Sequence, residues 1–155
     1  MFAAVLAVCL SFGAPVSAEA YSVSRGEAVV EVTSGRLLFA ENEDTELPPA
    51  STTKILTALI IVEDCDLDTV IEVPKEAAGT EGSSVYLEAG EKLTVRDLLY
   101  GLMLRSGNDC AVTLALHHSG SISAFAEHMN ERAAVLGAKH SHFANPHGLP
   151  AGGHY

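Results

Sequence analysis

Basic residues are scarce in this chain. Lys and Arg together number 9, against 20 Asp and Glu, and the formal net charge is −11 at pH 7. Nucleic-acid binding needs a basic face that neutralises phosphates, so this balance argues against a nucleic-acid partner. Hydrophobic residues make up 48% and charged residues 19% of the 155, which is typical of a folded domain with a sizeable core.

Cysteine is also rare, with three in the chain. Cys9 lies in an N-terminal apolar stretch, which leaves Cys65 and Cys110 for the remainder. Two cysteines do not make the disulfide framework of a small secreted domain. Because Cys110 also sits where a small buried side chain is expected, we predict no bridge between Cys65 and Cys110.

The N-terminal segment has the character of a signal peptide. It contains the apolar run Phe2–Leu10, too short for a membrane span, and then the small residues Val16-Ser17-Ala18, which fit a cleavage site. No Lys or Arg precedes the apolar run, so either the true start lies upstream or the free amine alone supplies the positive charge. We interpret residues 1–18 as a secretory signal and residues 19–155 as one domain; a buried N-terminal helix is the alternative.

The remaining pattern mixes strands and helices. Ala28–Val32 and Leu37–Ala40 are β-type runs around a turn in which Gly35 supplies a positive φ, which predicts a hairpin. A capping box at Thr94–Asp97 predicts the start of an amphipathic helix. Other predicted elements are a short strand at Val70–Val73, helices over about 94–104, 108–117 and 123–136, and loops over 77–90 and 145–150.

Ser51 opens a segment that is apolar on nearly every side as far as Val62. Such a pattern predicts a helix that is buried all round. Residues three apart share a helix face, so Ser51 Oγ and Lys54 Nζ can meet. A buried lysine has a lowered pKa and can act as a base near neutral pH, and the N-terminus of the helix favours negative charge at the hydroxyl. We therefore predict Ser51 as a nucleophile and Lys54 as its base.

A second pair of polar residues lies at the junction of two predicted helices, in Ser106-Gly107-Asn108. The Ser106 hydroxyl can pass a proton to a leaving amine, and the Asn108 amide can hold Lys54 and a substrate carbonyl. Each short motif alone is weak evidence, because a serine or asparagine commonly caps a helix. Together, Ser51, Lys54, Ser106 and Asn108 predict a catalytic group.

S-x-x-K followed by S-x-N resembles the signature of penicillin-recognising serine enzymes, which add K-T-G on a strand. Four longer stretches narrow the resemblance to the low-molecular-mass D-Ala-D-Ala carboxypeptidases: Leu47–Ile55, Glu81–Ser84, Arg96–Asp109 and Asn145–Leu149. The resemblance covers about residues 20–155. It implies an α/β (α+β) fold of the β-lactamase/transpeptidase type, here the N-terminal hairpin of the sheet and the helical lobe without the C-terminal strands.

The same resemblance implies a function in the cell wall. Ser51 would be acylated by the penultimate D-alanine of a peptidoglycan stem peptide, terminal D-alanine would leave, and water would hydrolyse the ester. β-Lactams would acylate Ser51 as well. The protein would be exported to the periplasm or the outer face of the bacterial cytoplasmic membrane, where such enzymes often carry a C-terminal membrane anchor. Ser83 and Ser84 would border the active-site cleft, although a plain turn explains them equally well.

The third motif, K-T-G, is absent from the sequence. Lys75, Lys92 and Lys139 are followed by Glu, Leu and His. We therefore expect the chain to be an N-terminal piece that is inactive by itself and lacks both the lysine that binds the substrate carboxylate and any C-terminal anchor.

Two other function classes remain open on the sequence. One is a fragment that binds peptidoglycan or penicillin without turnover, and the other is a β-lactamase or esterase. Ser106-Gly107-Asn108 fits the second poorly, since class A β-lactamases usually have S-D-N and the esterases usually have Tyr in place of the serine. The seven histidines include no H-E-x-x-H, so we predict no metal site and no cofactor, and we expect His147 to order its loop.

Overall fold

The computed structural model describes residues 24–155. Its elements in chain order are β1 (Glu27–Val30), β2 (Leu37–Glu41), α1 (Thr53–Asp64), β3 (Val70–Glu72), β4 (Lys92–Thr94), α2 (Val95–Arg105), α3 (Asn108–Ser119) and α4 (Ile122–Val135), and a 3-10 turn at Ala50–Thr52 leads into α1. The predicted signal peptide and Cys9 lie outside the described residues and stay predictions.

Strands β1 and β2 form the predicted hairpin. They pair antiparallel, with Val29 opposite Phe39 and an irregularity after Val29. Gly35 adopts a φ of 70° in the turn, as expected. The apolar side chains of this hairpin remain about half exposed, Val29 by 52% and Phe39 by 49%.

Helix α3 is the centre of the core. Its residues 108–115 are all buried, and it packs on α1, α2 and α4. The largest buried side chains come from all four helices and include Ile60, Ile61, Leu98, Leu102, Leu114, Phe125 and Met129. This packing fixes α1 and the α2–α3 junction against each other, and these two places carry the predicted catalytic residues.

The prediction that α1 is buried all round is wrong. Ile60 and Ile61 are fully buried, but Ile55 is 61% and Val62 is 54% exposed. Helices α2, α3 and α4 cover one side of α1, whereas more than half of Ile55 and of Val62 faces solvent. The apolar pattern alone could not distinguish these two sides.

The elements after α1 agree with the sequence except for β4. The Thr94 hydroxyl accepts from the Asp97 backbone N–H and the Asp97 carboxylate accepts from the Thr94 N–H, which confirms the capping box. Strand β4 was not predicted, because its three residues include a single apolar side chain, Leu93, and show no alternation. It pairs antiparallel with the predicted strand β3.

Two further observations concern the described part of the chain. Cys65 and Cys110 are both free thiols, and Cys110 is buried. No helix within residues 24–155 combines the length and the apolar character needed to span a bilayer.

Candidate active site

The S-x-x-K residues lie at the start of α1. Ser51 is in the 3-10 turn, and Lys54 is on the first turn of the helix that follows. Lys54 Nζ donates a hydrogen bond to Ser51 Oγ at 3.3 Å. Ser51 is exposed whereas Lys54 is only 3% exposed. A reactant can therefore reach the hydroxyl from solvent, while the amine beside it is shielded from solvent.

Lys54 is held in a largely uncharged setting. Its second hydrogen bond goes to the backbone carbonyl of His147 at 2.8 Å. Among residues 24–155, no carboxylate forms an ion pair with it. Burial lowers the pKa of Lys54, because the charged ammonium is poorly solvated there. The neutral amine is therefore accessible nearer physiological pH than it would be for an exposed lysine.

Ser106 also contacts Ser51, from the junction of α2 and α3. It caps the C-terminus of α2 in the left-handed region, with φ 57°. This conformation is costly for a non-glycine residue, and such residues concentrate at functional sites. Its hydroxyl donates to Ser51 Oγ at 3.0 Å. Ser51 Oγ is thus hydrogen-bonded to both an amine and a second hydroxyl, and the catalytic roles of the three residues stay predictions.

Asn108, two residues after Ser106, is bonded differently from the prediction. It opens α3 and is buried. Its side-chain nitrogen donates to the Glu81 carbonyl at 2.6 Å, and its backbone N–H donates to the Ser83 carbonyl at 2.7 Å. The hydrogen bonds of Lys54 go instead to Ser51 and His147. Within the described residues, Asn108 therefore anchors the 81–83 loop rather than Lys54.

Ser84 is hydrogen-bonded to the carboxylate of the buried residue Asp109. Its hydroxyl donates to Asp109 Oδ2 at 2.6 Å, and the Leu87 backbone N–H donates to the same oxygen at 3.0 Å. Burial of Asp109 opposes its charge, but the hydrogen bonds from Ser84 and the backbone outweigh it and the pKa of Asp109 lies below its usual value. Ser83 is exposed and contributes its carbonyl to Asn108. A role for Ser83 or Ser84 at the cleft stays a prediction.

The 145–149 loop carries contacts that the sequence did not reveal. Asn145 Oδ1 accepts from the Gly148 N–H at 2.7 Å, and Asn145 Nδ2 donates to the Leu149 carbonyl at 2.9 Å. This side chain folds the loop so that two consecutive carbonyls face α1. The Pro146 carbonyl accepts from Thr57 at 2.8 Å, and the His147 carbonyl accepts from Lys54.

The His147 ring has a separate role within that loop. Its Nδ1 accepts from the Leu149 N–H at 3.2 Å, which agrees with the expectation that it orders the loop. Burial, with a smaller contribution from the Lys54 charge, lowers the pKa of His147 to about 4. The ring is therefore neutral at physiological pH, as an acceptor at Nδ1 requires.

His154 and Thr53 form another contact missed on the sequence. The Ala144 N–H donates to His154 Nδ1 at 2.9 Å, so the ring proton is on Nε2 and is donated to Thr53 Oγ1 at 3.0 Å. Both residues are buried. One feature of the sequence could have indicated this contact: a threonine on the buried face of α1 needs a hydrogen-bond partner.

Gly148 brings the loop against the catalytic turn. It has φ 90°, and a Cβ at this position would lie 1.7 Å from the Ala50 carbonyl oxygen. Ala50 itself adopts a positive φ of 47° immediately before Ser51. The position of the nucleophile therefore depends on backbone contact that only glycine permits.

Comparisons with known proteins show which family the chain resembles. The profile of the D-alanyl-D-alanine carboxypeptidase family matches residues 15–155. The chain is 38% identical over 137 residues to D-alanyl-D-alanine carboxypeptidase DacF of Bacillus subtilis, which covers 85% of this chain and 35% of that protein. It is 38% identical over 125 residues to DacB2 of Mycobacterium tuberculosis, covering 81% of this chain and 43% of that protein.

Solved structures give the same result for the fold. D-alanyl-D-alanine carboxypeptidase DacD from Francisella tularensis superposes with a TM-score of 0.83 at 36% identity, over 89% of this chain and 35% of that one. Penicillin binding protein 5 from Haemophilus influenzae gives 0.78 at 31% identity, over 84% and 40%. These matches confirm the predicted transpeptidase-like fold. The chain spans well under half the length of the curated relatives described above.

Proposed function

We propose, because the chain belongs to the D-alanyl-D-alanine carboxypeptidase family, that it carries the acylation machinery of a serine D-Ala-D-Ala carboxypeptidase. One observation carries the proposal. The exposed Ser51 hydroxyl lies 3.3 Å from the buried amine of Lys54 and 3.0 Å from the hydroxyl of Ser106. In the proposed roles, Ser51 is the nucleophile, Lys54 the base and Ser106 the proton shuttle.

Acylation would begin with neutral Lys54. Ser51 Oγ attacks the carbonyl carbon of the penultimate D-alanine while Lys54 Nζ takes the hydroxyl proton. The C–N bond to the terminal D-alanine then breaks, and the departing amine takes a proton that Ser106 relays from Lys54. The products of this half-reaction are an ester on Ser51 and free D-alanine.

Deacylation would again use Lys54 as the base, with water in place of the Ser51 hydroxyl as the proton donor. Lys54 accepts a proton from an incoming water, and the hydroxide equivalent attacks the ester carbonyl. The C–O bond to Ser51 breaks and the alkoxide regains its proton. The N-terminus of α1 beside Ser51 would stabilise negative charge that develops in both steps. Asn108 positions the 81–83 loop at the edge of this site.

The proposed substrate is a peptidoglycan stem peptide ending in D-Ala-D-Ala, and β-lactams would acylate Ser51 as analogues of that end. Peptidoglycan lies outside the cytoplasmic membrane, so we propose an extracytoplasmic location. The signal peptide inferred for residues 1–18 supports export. Membrane association through a C-terminal anchor belongs to the same proposal.

D-Alanine release from a synthetic D-Ala-D-Ala pentapeptide tests this function. The full-length protein should release D-alanine, Ser51→Ala should release none, and Ser106→Ala should release it more slowly, because the departing amine loses the hydroxyl that relays its proton. Ser141→Ala, at an exposed serine outside the site, is the matched control and should behave as wild type. Covalent penicillin labelling without D-alanine release would favour a binding-only role instead. Rapid β-lactam turnover without D-alanine release would favour a β-lactamase.

A further inference from the structure

The far end of α1 carries a cluster that the catalytic proposal does not use. Asp64 is the last residue of α1, His118 lies near the end of α3, and His128 lies in the middle of α4. Asp64 Oδ2 is 3.0 Å from His118 Nε2 and 3.2 Å from His128 Nε2. Three helices therefore direct one carboxylate oxygen and two imidazole nitrogens to the same place.

The spacing of these atoms suits a zinc ion. With metal–ligand bonds of about 2.0–2.1 Å, two ligand atoms of a tetrahedral site lie about 3.3 Å apart. The two oxygen–nitrogen distances are already within a few tenths of an ångström of that value. All three ligand atoms lie within 4.8 Å of one another, so a small inward rotation of the rings completes the triangle.

His118 also has a hydrogen-bond partner on its other ring nitrogen. His118 Nδ1 is 2.7 Å from Ser119 Oγ, whereas His128 Nδ1 is 3.8 Å from a Glu131 carboxylate oxygen, which is beyond hydrogen-bond distance. Metal-binding histidines almost always have such a partner, which holds the proton on Nδ1 and leaves the Nε2 lone pair for the ion. His118 therefore has the partner that a zinc-bound ring needs. In the structure each Nε2 donates to the Asp64 carboxylate, so zinc binding at Nε2 requires each ring proton to move to Nδ1.

The surroundings leave the Asp64 charge available. The adjacent carboxylate of Glu63 holds Arg132 through two hydrogen bonds of 2.8 and 2.7 Å, so this guanidinium is engaged beside the cluster. The side chains of His118, His128 and Asp64 are 14%, 38% and 42% exposed. An ion can enter from solvent, and a water can occupy a fourth position.

We propose, in contrast to the expectation from the sequence, that Asp64, His118 and His128 bind a Zn²⁺ ion that fastens the C-terminal end of α1 to α3 and α4. Asp64 is ten residues from Lys54, which is about 15 Å along a helix. The ion therefore stabilises the helical lobe and takes no part in acylation. This inference is independent of the proposed function, because zinc binding and penicillin labelling are separate measurements on one protein.

Zinc affinity, measured by competition with a coloured chelator, tests the proposal. The metal-free full-length protein should bind one Zn²⁺ at this site, and Co²⁺ in its place should give the visible absorption of a tetrahedral site. His118→Ala and His128→Ala should each weaken binding at least ~10-fold, since even loss of a supporting partner costs 10–100-fold. His117→Ala is the matched control: an exposed histidine on the same helix, outside the cluster, which should bind zinc as wild type.

Thermal unfolding supplies the second readout. Zinc that binds the folded state raises the unfolding temperature of the wild type and of His117→Ala, but not of the cluster variants. Asp64→Asn keeps the side-chain shape and serves if a histidine variant fails to fold; circular dichroism checks folding throughout. Three results would overturn the proposal: absence of saturable zinc binding to the wild type, undiminished binding in Asp64→Asn and the histidine variants, or an equal loss in His117→Ala.

Discussion

Gly148→Ala should damage the active site without altering any side chain that reacts. The added Cβ would lie 1.7 Å from the Ala50 carbonyl oxygen, where real contacts essentially never fall under 3.0 Å. The loop and the turn must therefore separate by about 1.3 Å. Ala50 precedes Ser51, and the carbonyl of His147, which precedes Gly148, accepts a hydrogen bond from Lys54. The separation therefore displaces the backbone beside Ser51 and the carbonyl that accepts the hydrogen bond of Lys54.

The expected magnitude follows from these distances. A displacement of about 1 Å can cost ~10²-fold in rate, so acylation by penicillin should slow by about that factor or more. Alanine at a φ of 90° adds conformational strain of about 1–2 kcal/mol, so the free energy of unfolding should fall by at least that amount.

Stopped-flow acylation with a fluorescent penicillin and thermal unfolding measure the two effects. Gly152→Ala is the matched control in the same part of the chain, since its Cβ would meet no heavy atom within 4 Å and its φ is not in the positive range. The control should acylate and unfold as wild type. If Gly148→Ala acylated within a few-fold of wild type, the positioning argument for the 145–149 loop would be refuted.

Three further changes test the electrostatics of the site. Lys54→Ala should fold but acylate ~10³-fold more slowly, by stopped-flow, because the general base is lost; a rate within a few-fold of wild type would remove Lys54 from that role. Asp109→Asn should lower the free energy of unfolding by about 1–3 kcal/mol in urea titrations, because its amide nitrogen would face the hydroxyl of Ser84 or a backbone N–H. His147 has a folded pKa of about 4, below the ordinary 6.5, so the unfolded chain binds a proton that the folded chain does not. Stability should therefore fall by up to about 3 kcal/mol as pH drops from 6.5 to 4, and less so in His147→Gln; equal pH profiles for the two proteins would contradict this.

The sequence was sufficient for features that depend on local spacing. The distance from Ser51 to Lys54 fits one turn, the Thr94–Asp97 box begins a helix, and Gly35 takes a positive φ in its hairpin. Ser106 was identified through its pairing with the Ser51 motif, although its approach to Ser51 spans 55 residues. In the first three cases the residue types and their spacing along the chain were enough to predict the local structure.

Contacts between segments that are distant along the chain could not be predicted from the sequence. The second acceptor of Lys54 is a backbone carbonyl 93 residues away, and a carbonyl has no residue identity by which to recognise it. The partner of the Asn108 amide was wrong for the same reason, since Glu81 contributes only its backbone. Asp64 and His128 come from helices whose packing sets their proximity, which no motif encodes.

The central claim is that Ser51 forms the acyl-enzyme, and peptide mapping of the penicillin adduct tests it most directly. The full-length protein is incubated with penicillin, digested and analysed by tandem mass spectrometry. The account predicts a single adduct whose fragment ions place the added mass on Ser51, and no adduct in Ser51→Ala. An adduct on any other residue, or an unchanged yield of adduct from Ser51→Ala, would contradict it.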